Sequence, residues 1–215
     1  MTGLGFQDFR RVLLLGPHPD DAEFSSGGTI AKLIENNIEI HYAVFSMCEK
    51  SIPAGFSPGT IKNELLNAVD FMGINKQFLY LFDFEVRVFP QFRQEILEEM
   101  VRLSRLVKPD LVLLPSSSDI HQDHKIIYEE GIRAFKQSSM LSYEMPWNNF
   151  AFLSNLYVTL EERHVQKKID TLKLYKSQYF RKYSDEDYLR SLTKIKGLQI
   201  NEKYAETFQI LRWKI

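Results

Sequence analysis

The chain has 215 residues, 44% hydrophobic and 26% charged, with 27 basic against 28 acidic side chains and a formal net charge of −1. A chain of this size buries roughly 70% of the surface its unfolded form exposes, so its core needs neither disulfides nor a structural metal. The charge balance, without a long run of one sign, argues against a nucleic-acid partner and for a small-molecule one. The single cysteine, Cys48, excludes a disulfide framework and a thiolate zinc cluster and fits a reducing cytoplasm.

Arg11 to Leu15 is a short apolar run broken by Gly16-Pro17, which predicts a buried strand ending in a loop. A helix is expected next, capped by Ser25 or Ser26, with Gly27-Gly28 at its start and an end at Asn36-Asn37. Ile38 to Phe45 reads as the next strand, Lys50 to Gly59 as a loop, and Ile61 to Met72 as a helix stopped by Gly73. A weak strand over Phe78 to Phe82 precedes an amphipathic helix over Phe92 to Leu106, which Lys108-Pro109 terminates. Leu111 to Leu114 predicts another buried strand, and His121 to Lys136 a loop passing into a helix. Beyond it, strands are expected over Leu141 to Trp147, Ala151 to Leu160 and Thr207 to Trp213, with helices over Glu161 to Phe180 and Asp185 to Ile195.

Alternating strands and helices predict an α/β fold: a Rossmann-like three-layer α/β/α arrangement with a mainly parallel sheet and a C-terminal β/α elaboration. No linker separates a second domain, so residues 1–215 read as one. No stretch has the form of a signal peptide or a membrane span.

Histidine is scarce, with five in the chain, and three of them fall in two carboxylate-rich segments. The first is Pro17-His18-Pro19-Asp20-Asp21-Ala22-Glu23, directly after the first strand. The second is Asp119-Ile120-His121-Gln122-Asp123-His124, shortly after the Leu111 to Leu114 strand. Loops that follow parallel strands emerge together at the carboxyl edge of the sheet, where ligands bind. Carboxylates gathered in one cleft repel one another, and a divalent cation removes that penalty. Two histidines and a carboxylate with an open fourth position form a known class of catalytic zinc site, and His18, Asp21 and His124 could supply it. Each segment also has a bland reading: an acidic first turn stabilised by the helix dipole, and two histidines on an exposed helix face. Their joint placement after two core strands favours the site. His41 belongs at the opposite edge and His164 on a solvated helix face; Cys48 could reach the same edge as the two motifs, but an isolated cysteine is more often a small buried hydrophobe. Gly27-Gly28 lacks the GxGxxG spacing of a dinucleotide turn.

These segments resemble the LmbE-like or PIG-L family of zinc-dependent N-acetylglucosaminyl deacetylases, with Pro17 to Glu23 and Gly27-Gly28-Thr29 as the first motif and Asp119 to His124 as the second. Weaker matches follow at Glu64 to Ala68, Met72-Gly73, Lys173 to Tyr175 with Ser177-Gln178, and Tyr204 to Phe208. The chain departs from the family in Ser25-Ser26 before the glycine pair and in Asp83-Phe84-Glu85 after the third strand. The resemblance implies Zn2+ held by His18, Asp21 and His124, with Asp20 as general base toward the attacking water. It further implies a protonated His121 that stabilises the oxyanion, and Asp123 with Asp119 in support behind a histidine. The substrate implied is an N-acetylated amino sugar of the N-acetylglucosamine type; a homo-oligomer is left open. The competing expectations are a metal-dependent amidase or esterase on another small molecule, and a sugar-binding relative without catalysis.

Overall fold

The computed structural model describes residues 9–214. Among them, seven strands form one sheet: β1 (Arg11–Gly16), β2 (Glu39–Val44), β3 (Leu79–Leu81), β4 (Leu111–Pro115), β5 (Ser139–Tyr143), β6 (Leu156–Leu160) and β7 (Tyr204–Arg212). Their order across the sheet is β3-β2-β1-β4-β5-β7-β6. The pairings are parallel from β3 through β5, and β7 is antiparallel to both β5 and β6. Six α-helices connect them: α1 (Asp21–Glu35), α2 (Thr60–Met72), α3 (Arg93–Val107), α4 (Gln122–Ala134), α5 (Glu162–Leu172) and α6 (Glu186–Leu198).

The continuous apolar runs of β1 and β4 arise because both faces of the sheet are covered. Val12, Leu14, Leu111 and Leu113 face one core, which also takes Ile30 and Leu33 of α1, Leu65 of α2 and Ile169 of α5. Leu13, Leu15, Val112 and Leu114 face the other, with Ile96 and Met100 of α3 and Ile127 of α4. The three-layer α/β/α arrangement follows, and the antiparallel β6 and β7 with α5 and α6 form the C-terminal elaboration.

The chain runs outward from β1 to β2 and β3, then returns to the other side of β1 to form β4. That reversal makes the crevice between β1 and β4 a topological switch point, where the loops after the two strands diverge and leave room for a ligand.

Several boundaries differ from expectation. Helix α1 begins at Asp21, so Ser25, Ser26, Gly27 and Gly28 lie inside it. The glycines serve packing: a Cβ on Gly27 would lie 2.8 Å from Lys168 Cγ, and one on Gly28 2.5 Å from Leu160 Cδ1. Glu206 of β7 braces the same turn, accepting from the N–H groups of Gly28 at 3.1 Å and Thr29 at 2.7 Å and from Lys168 Nζ at 2.6 Å. Residues 144–147 and 151–155 are loop, helix α5 stops at Leu172, and β7 starts at Tyr204, earlier than expected. His164 is buried, not solvated. Its Nδ1 accepts from the Glu161 N–H at 3.0 Å and its Nε2 meets Glu35 Oε2 at 2.7 Å, so it ties the start of α5 to the end of α1.

Candidate metal centre

The first motif forms the turn from β1 into α1. Asp20 adopts a left-handed conformation (φ 81°) and its side chain makes no capping bond to the helix that follows. Aspartate tolerates this backbone better than most residues, and the turn leaves adjacent Asp20 and Asp21 with different tasks. Asp21 Oδ2 accepts from the His18 N–H at 2.9 Å, while Asp20 lines a cavity of about 260 Å3. The second motif forms the entry to α4. His121 is its N-cap residue, accepting from the Asp123 N–H through Nδ1 at 3.2 Å. Asp119 Oδ1 accepts from the His121 N–H at 2.8 Å.

The two turns meet. His18 Nδ1 lies 3.3 Å from Asp21 Oδ2 and 3.3 Å from His124 Nε2, and His124 Nε2 lies 3.2 Å from Asp21 Oδ2. A tetrahedral ion with ligand bonds of about 2.0–2.1 Å sets its ligand atoms about 3.3–3.4 Å apart, so this triangle has the dimensions of three ligand positions. The outer nitrogens are held as well: His18 Nε2 meets Asp123 Oδ2 at 3.0 Å, and His124 Nδ1 meets Asp119 Oδ2 at 2.7 Å. Carboxylates behind ligand histidines fix the ring and raise its basicity. His18, Asp21 and His124 could therefore hold a metal ion.

His18, His121 and Asp123 form a second close group. It suits an ion less well, because Asp123 is fully engaged. Besides His18, its carboxylate accepts from the N–H groups of Arg87 at 2.6 Å and Phe89 at 3.2 Å.

The electrostatics follow from burial and the crowd of carboxylates. Burial, then the neighbouring charges of Asp21 and Glu23, raise the Asp20 carboxyl well above its usual range. Burial works against a charged Asp21 too, but the charge of His124 and hydrogen bonds from both histidines overcome it and lower its pKa. Burial opposes a charged His124, yet Asp21 and Asp119 raise it to about 10. His121 goes the other way: burial and the adjacent His124 and His18 push it down to about 4. Burial and these two rings thus oppose the protonated form that the resemblance implies, and with the Asp123 N–H on Nδ1 a neutral ring carries its proton on Nε2.

The cavity is lined on other sides by groups that the sequence did not single out, among them Arg87, Trp147, Asn148 and Arg181. Arg87 lies between the weak strand expected over Phe78 to Phe82 and the helix expected over Phe92 to Leu106, and nothing in that pattern marks it. Gln178 belongs to one of the weaker family matches, and the structure gives that match a reason. Glu64 accepts from the Ser177 N–H at 2.9 Å and hydroxyl at 2.6 Å, and Tyr175 donates to Glu23 at 2.8 Å. These bonds pin the segment that brings Gln178 to the cavity. Cys48 also reaches the lining, and burial followed by the charges of Asp21 and Asp20 pushes its thiol up, which disfavours the reactive thiolate. His41 lies away from the site, between Glu39 and Tyr80. A larger cavity, about 960 Å3, opens at the amino edge of the sheet, but among the described residues that line it there is no histidine and no cluster of carboxylates.

The family model for GlcNAc-PI de-N-acetylase, PIG-L, matches residues 13–135, which include both motifs. The chain belongs to this family. A diacetylchitobiose deacetylase from Thermococcus kodakarensis is 25% identical over 94% of this chain and 83% of that protein. The diacetylchitobiose deacetylase of Pyrococcus horikoshii shares the fold with a TM-score of 0.79 at 21% identity, covering 96% of this chain and 85% of that one. A 4-carboxy-2-hydroxymuconate hydratase from Pseudomonas putida does so at 0.77 and 17% identity, covering 96% and 98%. The fold thus carries more than one reaction, and the choice among them rests on the site. Among the described residues of this PIG-L chain, no helix is long and apolar enough to cross a membrane.

Proposed function

We propose that this protein is a zinc-dependent deacetylase of N-acetylated amino-sugar conjugates, folded as a single catalytic domain. The observation that carries the reading is the triangle of ligand atoms, 3.2–3.3 Å on each side, with Asp20 beside it. Its relatives named as deacetylases of N-acetylated sugars give the bond to be broken.

His18, Asp21 and His124 hold the ion. Two nitrogens and one oxygen suit zinc, which when bound supplies Lewis acidity toward a carbonyl and acidifies water. Asp20 takes the proton of the attacking water and returns it to the leaving amine. Its raised proton affinity, set by burial and by Asp21 and Glu23, suits it to both transfers. His121 donates Nε2–H to the carbonyl oxygen as negative charge develops there, its tautomer set by the Asp123 N–H. Asp123 and Asp119 orient His18 and His124. The products are acetate and a free amino sugar.

The test is acetate release, followed by mass spectrometry across a panel of N-acetylhexosamine conjugates, with metal content determined on the same sample. The reading expects zinc bound at one ion per chain and acetate from at least one conjugate. A protein that binds no divalent metal at micromolar concentration, or that releases acetate equally well after the metal is stripped, would overturn it.

A further inference from the structure

We propose that Gln178 is a specificity-determining residue that reads one ring hydroxyl of the amino sugar through its side-chain oxygen; the inference rests on the deacetylase reading. Gln178 follows α5, lines the cavity together with Asp20 and Asp21, and is only 7% exposed. Its amide is oriented by a chain of donors. Glu64 Oε2 accepts the Ser177 hydroxyl proton at 2.6 Å, so the hydroxyl oxygen can only accept from its other neighbour, and Gln178 Nε2 donates to it at 3.0 Å. The nitrogen end is thereby committed to Ser177. The oxygen end, Oε1, lies on the other side of the amide group, and among the described residues no donor meets it. A buried carbonyl oxygen without a partner is costly, and a substrate donor in the cavity removes that cost.

The place of Gln178 in the fold says which part of the substrate it meets. His121 caps α4, which packs on the sheet face of Leu13, Leu15, Val112 and Leu114. The segment of Gln178 is fastened on the opposite face: Tyr175 donates to Glu23 of α1 at 2.8 Å, and the Ser177 N–H donates to Glu64 of α2 at 2.9 Å. In the deacetylase reading the carbonyl oxygen of the acetamide lies toward His121, and its nitrogen lies toward Asp20, which returns the proton. Both polar atoms of the acetamide are then served, and the acceptor on the α1 and α2 side falls to the ring. An oxygen that only accepts needs a donor there, which hydroxyls supply and the ring and glycosidic oxygens do not. The cavity of about 260 Å3 falls just below the range of about 300–1,000 Å3 typical of sites for drug-sized ligands. It takes a single ring, so the hydroxyl belongs to the N-acetylated residue itself. A site built to bond a hydroxyl rejects the analogue that lacks it, because the buried partner is left unpaired.

The experiment compares the methyl glycoside of N-acetylglucosamine with its 3-deoxy, 4-deoxy and 6-deoxy analogues in zinc-loaded wild type, Gln178→Met and Gln178→Asn. Methionine keeps the length and removes the acceptor, while asparagine keeps the amide and withdraws it by one methylene. Acetate release gives kcat and KM, and calorimetry gives binding. Wild type is expected to lose about tenfold in kcat/KM on one deoxy analogue, through KM, and to treat the other two like the parent. Gln178→Met should lose about tenfold on the parent and on those two, with no further loss on the first, so that the two losses do not add. Gln178→Asn is expected to show the same pattern and keeps the test open if Gln178→Met does not fold. If wild type handles all three deoxy analogues like the parent, the inference fails and the deacetylase reading stands. The same holds if the variants lose by one factor on all four probes, the outcome of a structural role or of a bond to the acetamide N–H. If none of the probes yields acetate, calorimetry still decides Gln178. A binding loss on one deoxy analogue that vanishes in the variants supports it, and equal binding of parent and analogues by wild type, or no binding, overturns it.

Discussion

Asp119 Oδ2 lies 2.7 Å from Nδ1 of His124, and this contact turns the other ring nitrogen toward Asp21, 3.2 Å away. Replacing Asp119 with Asn keeps the shape and removes the charge. Metal affinity should fall by about 10–100-fold, the usual cost of losing a carboxylate behind a ligand histidine. Competition against a chelating dye measures it; an unchanged affinity would deny Asp119 that part.

Metal uptake should depend steeply on pH. Without an ion, His124 holds its proton up to about pH 10, since Asp21 and Asp119 outweigh the opposing effect of burial. An ion must displace that proton, so apparent affinity should climb about tenfold or more per pH unit between pH 7 and 9 and level off above 10. Proton release on titrating zinc into weakly buffered protein gives a second reading of the same event. A flat profile between pH 7 and 9 would contradict the ligand assignment.

Gly27→Ala sets helix propensity against packing. Alanine gains about 1 kcal/mol over glycine inside a helix. Its Cβ would lie 2.8 Å from Lys168 Cγ and 3.1 Å from Lys168 Cβ, and the latter cannot swing aside as a flexible end would. Lys168 is buried with its ammonium on Glu206, so overpacking should win, with a net loss of about 1–3 kcal/mol. Urea denaturation of the variant checks the sign; a more stable protein would refute the packing argument.

Glu35 provides a pH test remote from the site. Hydrogen bonds from Arg163 and then His164 lower its pKa from 4.5 to about 2. A folded-state value below the unfolded one contributes stability above about pH 4–5 that disappears as pH falls toward 2. The melting-temperature gap between wild type and Glu35→Gln should be open at pH 6, close near pH 2, and narrow in 0.5 M salt because the carboxylate is exposed. A gap independent of pH would show that the charge plays no part.

Much of this was legible in the residues. The strands and the two motifs could be read because buried parallel strands are continuous apolar runs and because a switch point collects the loops that follow them. Where the reading slipped, tertiary contacts set the outcome. Gly27 and Gly28 look like a helix start, yet they sit mid-helix because Lys168, Leu160 and Glu206 press against them from far along the chain. His164 looks solvated beside Glu161, Glu162 and Arg163, yet it is buried against Glu35, 129 residues away in sequence. His121 has the residue type for a positive charge, but the neighbours that oppose that charge come from the fold and not from its own segment alone. Arg87 has no pattern at all, since its place depends on a backbone conformation and on a carboxylate from another loop.

The central claim is that three side chains hold the ion while Asp20 handles the proton. Metal content and acetate release on the same preparations of wild type, His124→Ala and Asp20→Asn test it directly. Asp20→Asn should keep one zinc per chain while its turnover falls by about 10²–10⁴-fold, and His124→Ala should lose both the metal and the activity. An Asp20→Asn enzyme with wild-type turnover, or a His124→Ala protein that keeps its zinc, would contradict the account.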